Sequence, residues 1–256
     1  MSASGDRRRA GLASRGTQLA FVVTLVGVWY LGTTYGGISP ILLPNPVAVY
    51  HELMNVLATG EYVSDLRITL MELVTAFSIS STVGVTLGYL ISRSQYSIRV
   101  FEPLFAGMYS VPVILFLPLY ILFFGLGPAS KIALGVTTSF FPIILNTIAG
   151  FGYVDRIFVL SARSMGASEF QLFRWVLLPA ALPIILTGLR IGFTVALLSI
   201  LGSETIASLA GLGHRIVQLG EGMDTARMFA YIAFVVVIAL ILNMVVSTLE
   251  ARAKRP

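Results

Sequence analysis

Residues 228–249 read MFAYIAFVVVIALILNMVVSTL, an apolar run without a single charged side chain. A helix needs about 20 apolar residues to cross the ~30 Å hydrocarbon core of a bilayer, so this stretch predicts a transmembrane helix. Similar apolar runs recur toward the amino terminus, which predicts an all-α, polytopic membrane protein with about six transmembrane helices. The predicted spans are 17–34, 66–91, 100–124, 129–152, 181–206 and 228–249.

The composition agrees with burial in a membrane and excludes several other classes of protein. Hydrophobic residues make up 56% of the 256 residues, charged residues only 11%, and the mean hydropathy is +0.88. The net charge of +5 is spread between apolar runs, without the basic stripe and interleaved aromatics of a nucleic-acid-binding surface. The absence of cysteine excludes disulfides and thiolate metal sites. His51-Glu52 begins like a zinc-protease signature, but Asn55 stands where the second histidine is required.

The basic residues between the spans predict the orientation of the chain. Cytoplasmic segments are enriched in Lys and Arg, and most basic residues fall on one side if the amino terminus is inside. The basic residues on the cytoplasmic side are then Arg93, Arg99, Arg156, Arg163, Arg174, Arg252, Lys254 and Arg255. Those on the external side are Arg67, Lys131, Arg215 and Arg227. Both termini are therefore predicted in the cytoplasm.

The alternation of apolar runs and polar segments also predicts how the chain is divided. Residues 1–16 form a cytoplasmic tail whose arginines resemble the start of a signal peptide, but the following apolar run is long for one and lacks a clear cleavage site. We interpret it as a retained first helix. Residues 17–62 hold that helix and an external connection with a short helical pattern at 47–57. A core domain, 63–250, and a second cytoplasmic tail, 251–256, complete the chain.

Small residues and prolines inside the spans predict how the helices pack. Ser80, Gly84 and Gly88 recur at four-residue intervals, which allows two helix backbones to approach closely. Pro112 and Pro118 each remove a backbone hydrogen bond and are expected to kink the third span. Such breaks are tolerated where neighbours or a water-filled path satisfy the freed carbonyls. This span therefore either lines a translocation path or only bends to fit the bundle.

Several polar side chains within the spans have two interpretations each. Glu72 and Glu204, near the external ends of their spans, either act in gating and solute transfer or lie cheaply at the level of the lipid headgroups. Asn146 and Asn243 are expected to form interhelical hydrogen bonds. Arg190 either attracts an anion or extends to the cytoplasmic interface. The candidate residues for a translocation path are Pro112, Pro118, Asn146 and Glu204.

The longest predicted cytoplasmic connection, about 153–179, predicts two short helices joined by a tight turn. Asp155 is expected to cap a helix that reaches Met165, and Gly166 to supply the left-handed residue that commonly ends a helix. Ser168 and Gln171 form a Ser-x-x-Gln capping box for the second helix. Phe158, Ala162, Met165, Phe170 and Phe173 are predicted to form one exposed apolar surface. An apolar surface on a rigid turn is typical of a docking element, the alternative being a helix pair without a partner.

The sequence of this connection also resembles a known motif. Residues 160–168, LSARSMGAS, with Val176, Leu178 and Pro179 in register, are similar to the EAA loop of binding-protein-dependent ABC importer permeases. Leu160 and Ser161 depart from the motif, since the family usually has Glu and Ala there. The resemblance covers about residues 40–250. Within the family, the sequence is most similar to the branch that imports nitrate, aliphatic sulfonates and taurine.

The resemblance implies a fold, a set of partners and a location. The fold is that of a type I ABC importer permease with a cytoplasmic coupling helix, multi-pass in a bacterial cytoplasmic (inner) membrane. The partners are a second copy of the permease in a homodimer, two cytosolic ATPase subunits, and a periplasmic or lipid-anchored solute-binding protein. The permease itself is expected to be no enzyme and to hold no cofactor, because ATP and Mg are bound by the ATPase.

The resemblance also implies contact residues and a class of solute. The ATPase-coupling residues are Leu160, Ser161, Ala162, Arg163, Met165, Gly166, Ala167, Ser168 and Phe170. The expected solute is a small anion such as a sulfonate, taurine or nitrate, with an aromatic acid or a vitamin precursor as the alternative. An ion-coupled transporter, in which Glu72 and Glu204 relay protons, is the alternative from another class.

Overall fold

The computed structural model of the protein describes residues 3–253, and only the backbone of residues 3–15, 18 and 19. Met1, Ser2, Lys254, Arg255 and Pro256, which belong to the predicted tails, lie outside the described residues. The described chain is helical and contains no β-strand between residues 3 and 253. Its α-helices are α1 (Ala3–Tyr35), α2 (Pro46–Thr59), α3 (Tyr62–Ser92), α4 (Gln95–Tyr109), α5 (Leu117–Phe124), α6 (Pro128–Gly152), α7 (Arg156–Ser164), α8 (Glu169–Leu172), α9 (Leu178–Ile206), α10 (Leu212–Glu221) and α11 (Thr225–Ala253).

Four helices of the described chain are long and apolar enough to cross a membrane. They are α3, α6, α11 and a 38-residue helix, Glu169–Ile206, that contains α8 and α9. A fifth span exists if α4 and the segment Val113–Phe124 count together. The apolar part of α1 covers only Ala20–Tyr35. The predicted number of six spans is therefore not confirmed, although the all-α membrane fold is.

The chain divides into two compact units. The first comprises the residues up to Glu61 together with Ile216–Phe234, and the second comprises Tyr62–Arg215 together with the residues from Val235 onward. Both α10 and α11 contribute residues to each unit. The candidate coupling and path residues all belong to the second unit.

In the first unit, aromatic and ionic contacts join segments that are distant in sequence. The Trp29 indole Nε1 donates a hydrogen bond to the Pro44 carbonyl at 3.0 Å, and its ring lies 6.1 Å from that of Phe229. The Arg227 guanidinium donates to both carboxylate oxygens of Glu61. This fork geometry is the strongest that an Arg–carboxylate pair adopts.

In the second unit, α6 packs closely against both α3 and α9. A Cβ atom built on Gly84 would lie 2.9 Å from Ile143 Cγ2, and one built on Gly88 would lie 2.7 Å from Thr147 Cβ. Real Cβ atoms do not approach so closely, so the predicted small-residue spacing on α3 is what allows this contact. The interface also contains a hydrogen bond of 2.7 Å from Ser139 Oγ to Ser80 Oγ.

The third predicted span is broken rather than kinked. After α4 the chain turns by 76° and continues through a short 3₁₀ segment, Val113–Phe116, into α5. Pro112 lies at the break, immediately before the 3₁₀ segment. Pro118 lies in the first turn of α5, where a missing N–H removes no helical hydrogen bond. The expectation that Pro118 kinks a helix is therefore wrong.

Candidate functional site

The connection after α6 folds as two helices whose starts are capped by side chains. Asp155 Oδ1 accepts a hydrogen bond from the Ile157 N–H at 2.9 Å and caps α7. Ser168 Oγ accepts from the Gln171 N–H at 3.3 Å, and Gln171 Oε1 accepts from the Ser168 N–H at 2.8 Å. This is the predicted capping box, and it satisfies donors that the helix itself leaves unpaired.

Gly166 forms the turn between the two helices. Its φ is +79°, its N–H donates to the Arg163 carbonyl at 3.0 Å, and the Ala167 N–H donates to the Ala162 carbonyl at 3.1 Å. These two bonds define a Schellman motif, in which glycine is the usual left-handed residue. A Cβ atom on Gly166 would meet nothing within 4 Å. Glycine is therefore required for its backbone conformation and not for space.

Large apolar side chains of α7, the turn and α8 are exposed to solvent. Phe158 is 60% exposed, Leu160 63%, Met165 82% and Phe170 70%. We call these four residues the coupling surface. Of the other predicted contact residues, Ser161, Arg163 and Ser168 are exposed and Ala167 is half-buried. The Arg163–Glu169 ion pair, at 2.9 Å, crosses the turn, but both side chains are more than half exposed and the pair adds little stability.

Of the residues predicted for the exposed surface, one is buried and one is half-buried instead. Ala162 of α7 is only 4% exposed. The Phe173 ring lies 5.1 Å from the Tyr89 ring and 6.1 Å from the Phe151 ring. Their expected contribution to an exposed surface is therefore wrong, because aromatic packing at the ends of α3 and α6 uses Phe173 to anchor the loop.

The second helix of the connection continues without interruption into the next span. One turn of π-helix, Phe173–Leu177, joins α8 to α9, with the Leu178 N–H bonded to the Phe173 carbonyl five residues earlier. Pro179 has no N–H to donate to the preceding turn, and a π turn is one way for a helix to accommodate that loss. The predicted start of this helix near residue 181 is corrected to Glu169.

At the far end of α9, ionisable side chains from three helices lie together in the interior. Glu72 of α3, Lys131 of α6 and Glu204 of α9 are each no more than 1% exposed. Glu204 Oε1 accepts from Thr69 Oγ1 at 2.7 Å, and Glu204 Oε2 accepts from the Gly213 N–H at 2.7 Å. We call these residues, with Thr69, the charge cluster. Protein covers both Glu72 and Glu204, while their depth relative to the lipid headgroups stays a prediction.

The charge cluster also fixes the segment that follows α9. Thr69 Oγ1 accepts from the Leu212 N–H at 3.0 Å, while it donates to Glu204. Gly211 has a φ of +107°, and a Cβ atom there would overlap the Glu204 carboxylate. Lys131 Nζ donates to the Leu126 carbonyl at 2.5 Å. Thr69 and Glu204 therefore join α3, α9 and the start of α10 through buried hydrogen bonds, two of which go to the Glu204 carboxylate.

The charge pattern predicted Lys131 only as one of the basic residues on the external side, and no pattern in the sequence indicated Thr69. The sequence does contain one signal for this cluster. Gly211 and Gly213 follow Glu204 by a few residues, and glycines allow a backbone to approach a side chain closely.

The four candidate path residues do not share one site. Asn146 Nδ2 donates to the Pro142 carbonyl at 2.8 Å, and a Cβ atom on Gly188 would lie 2.5 Å from Asn146 Cβ. Asn146 therefore lies in the packed interface between α6 and α9. Glu204 belongs to the charge cluster, and the two prolines lie at the bend after α4.

The chain is similar to known transport proteins in sequence and fold. A family model described as "Binding-protein-dependent transport system inner membrane component" matches residues 80–255. The taurine transport system permease protein TauC of Escherichia coli (strain K12) is 31% identical over 236 residues, which cover 90% of this chain and 86% of that protein. The putative aliphatic sulfonates transport permease protein SsuC of the same organism is 33% identical over 220 residues, 86% of this chain and 81% of that protein.

A solved structure gives the same fold. A chain of the MetNI methionine ABC transporter in an inward-facing conformation superposes with a TM-score of 0.63 at 19% identity. The match covers 73% of this chain and 94% of that one.

Proposed function

The chain belongs to the family of inner membrane components of binding-protein-dependent transport systems, and we propose that it is the permease through which such an importer carries a small sulfonate or a related anion. The family and fold make it the membrane-spanning subunit of an ABC importer. The class of solute is carried over from relatives named for taurine and aliphatic sulfonates. The permease has no catalytic residue of its own in this proposal and binds no cofactor, because separate ATPase subunits bind ATP and Mg.

The observation that carries the proposal is the coupling surface on its capped turn. Two side-chain caps and a Schellman motif hold the turn in one conformation, yet the four apolar side chains of the coupling surface are at least 60% exposed. Apolar side chains on a rigid helix pair are what a partner protein buries in a groove. In this proposal an ATPase subunit covers Phe158, Leu160, Met165 and Phe170, and each of two identical permeases docks one ATPase.

The orientation follows from the same surface. Arg93, Arg156, Arg163 and Arg174 lie at or near the connection that carries it, so the positive-inside preference favours that end in the cytoplasm, together with both termini. The charge cluster then lies toward the outside, where a solute-binding protein delivers the anion.

The continuous helix from α8 to α9 supplies the route of coupling. ATP binds more tightly to the closed ATPase pair than to the open one, so it shifts the equilibrium toward the arrangement in which the two coupling surfaces are close together. Since α8 and α9 form one helix, the movement of α8 is also a movement of the span. The result is alternating access by rigid-body motion of packed helices.

Reconstitution in proteoliposomes with the ATPase and the binding protein tests this function. We expect ATP-dependent uptake of labelled taurine. Phe170→Ala removes one large apolar contact, worth about 1.5–3 kcal/mol, and should weaken ATPase binding about ten- to hundredfold. Leu122→Ala, at a side chain 77% exposed on α5 outside the coupling loop, is the matched control and should retain the ATPase. Uptake driven by a proton gradient without ATP would instead identify an ion-coupled transporter.

A further inference from the structure

A groove of about 640 Å³ runs along the surface of the second unit between α9 and the later half of α11. A smaller hollow of about 190 Å³ continues it and shares Thr194, Leu240 and Asn243 with it. Neither hollow includes a residue of the coupling surface or of the charge cluster.

The polar side chains of the groove are spaced to face it. Arg190 and Thr194 are four residues apart on α9, and Asn243 and Ser247 are four residues apart on α11. Residues at this spacing share one face of a helix. The rest of the lining is apolar and consists of Ile191, Val195, Leu240 and Met244. The two helices therefore present one polar stripe each to a common space.

The protein leaves part of this polarity unused. Arg190 Nε contacts Glu250 Oε2 at 3.2 Å, but a guanidinium carries five N–H donors, and no other hydrogen bond of this group occurs within residues 3–253. The Asn243 side chain is exposed and forms no hydrogen bond with any other described residue. Polar and charged groups within a span are costly against lipid and normally face water or the bundle interior. The groove is thus suited to a polar occupant rather than to lipid.

The depth of Arg190 agrees with a position along a transport route. It lies twelve residues after the start of α9, about 18 Å along the helix at 1.5 Å per residue. This is inside the span and well beyond the end that carries the coupling surface.

We propose that this groove is an anion-binding segment of the translocation path, in which Arg190 and Asn243 hold the charged group of the solute. The inference rests on the proposed function as an anion permease. A sulfonate presents three acceptor oxygens and one negative charge, which suit the planar fork of a guanidinium and an adjacent amide N–H. Glu250, only 8% exposed, balances the charge of Arg190. The anion is therefore attracted without being held too tightly to leave, as transport requires.

The chain has no native cysteine, so single cysteines can be placed in it without background labelling. In the reconstituted importer, Asn243→Cys and Ser247→Cys should react with a membrane-impermeant methanethiosulfonate that carries a sulfonate group. Taurine added with the binding protein and ATP should slow that reaction. Val245→Cys is the matched control, because Val245 is 51% exposed on the same helix but does not line the groove, and it should stay unlabelled.

Uptake measurements test the role of the two polar groups. Because Arg190 also neutralises Glu250, we choose the double substitution Arg190→Gln with Glu250→Gln, which removes both charges of this ion pair together. Loss of a charge-assisted hydrogen bond should lower taurine uptake about ten- to hundredfold, and Asn243→Leu should lower it about fivefold. ATPase subunits should remain bound to both variants, since the coupling surface is untouched.

The outcomes separate this inference from the function on which it rests. If the wild-type importer takes up no anion, the proposed function fails. If it takes up taurine and the groove cysteines are unreactive, or react equally with and without taurine, only the inference is overturned. Disulfide-linked permease dimers through Asn243→Cys would show that a second copy fills the groove, and this too would overturn it.

Discussion

Substitutions of Gly166 test whether the conformation of a single residue controls coupling. An L-residue pays about 1–2 kcal/mol to adopt the left-handed conformation, and a β-branched residue pays more. Gly166→Ala should therefore destabilise the turn by about 1 kcal/mol and Gly166→Val by about 2 kcal/mol or more. Each N-cap at the turn contributes only about 1 kcal/mol. The cost of valine is therefore comparable to most of the free energy that stabilises the turn. Asparagine tolerates this conformation, and Gly166→Asn should remain close to wild type.

The assay is ATP-dependent taurine uptake in proteoliposomes, together with the amount of ATPase that co-purifies. We expect Gly166→Val to abolish uptake while membrane insertion is unchanged. Gly107→Val is the control, since a Cβ there also meets nothing within 4 Å but the residue lies within α4 with no positive φ. Wild-type uptake by Gly166→Val would refute the reasoning. An equal loss of uptake in Gly166→Asn and Gly166→Val would also refute it. Glycine would then be required because the partner approaches this residue closely, and not because of its φ angle.

Three further substitutions test the packing and the charge cluster. Gly84→Val forces a side chain against Ile143, where even a Cβ has only 2.9 Å, and should destabilise the permease by about 1–3 kcal/mol, measured as a lower midpoint of thermal unfolding in detergent. Lys131→Met removes the buried ammonium near two buried carboxyl groups, together with its hydrogen bond to the Leu126 carbonyl, and should cost about 3–5 kcal/mol; an unchanged unfolding midpoint would contradict a stabilising role for Lys131. Thr69→Val keeps the shape of the side chain but removes both its bond to Glu204 and the acceptor for the Leu212 N–H. We expect a loss of about 1–3 kcal/mol and faster proteolysis near residue 212, whereas protection equal to wild type would show that Thr69 does not hold this segment.

Local signals in the sequence predicted the turn of the coupling loop, because its determinants are short in range. Asp155, Gly166 and the Ser168–Gln171 box each act within a few residues, and each has the predicted hydrogen bonds. The spacing of Gly84 and Gly88 likewise predicted a close helix contact, since a four-residue interval defines one face of a helix.

The features that sequence analysis missed depend on residues far apart in the chain. The hydrogen bond between Thr69 and Glu204 joins positions separated by 135 residues, and no local pattern indicates such a partner. Lys131 follows a Gly-rich segment, which is typical of an exposed loop, but the folded chain buries it completely. Phe173 has the spacing of an exposed residue on a short helix. Only the neighbouring Tyr89 and Phe151 rings decide that it packs inward.

The continuous helix Glu169–Ile206 can transmit a tilt from one end of the permease to the other. Its 38 residues measure about 57 Å at 1.5 Å per residue. Phe170 lies at one end and Glu204 near the other. For a rod of that length, one degree of tilt at the first end displaces the second by about 1 Å, which is enough to stretch a 2.7 Å hydrogen bond past its working range. In the proposed mechanism, a tilt of about one degree at the end that carries Phe170 is therefore sufficient to break the hydrogen bond between the Gly213 N–H and Glu204.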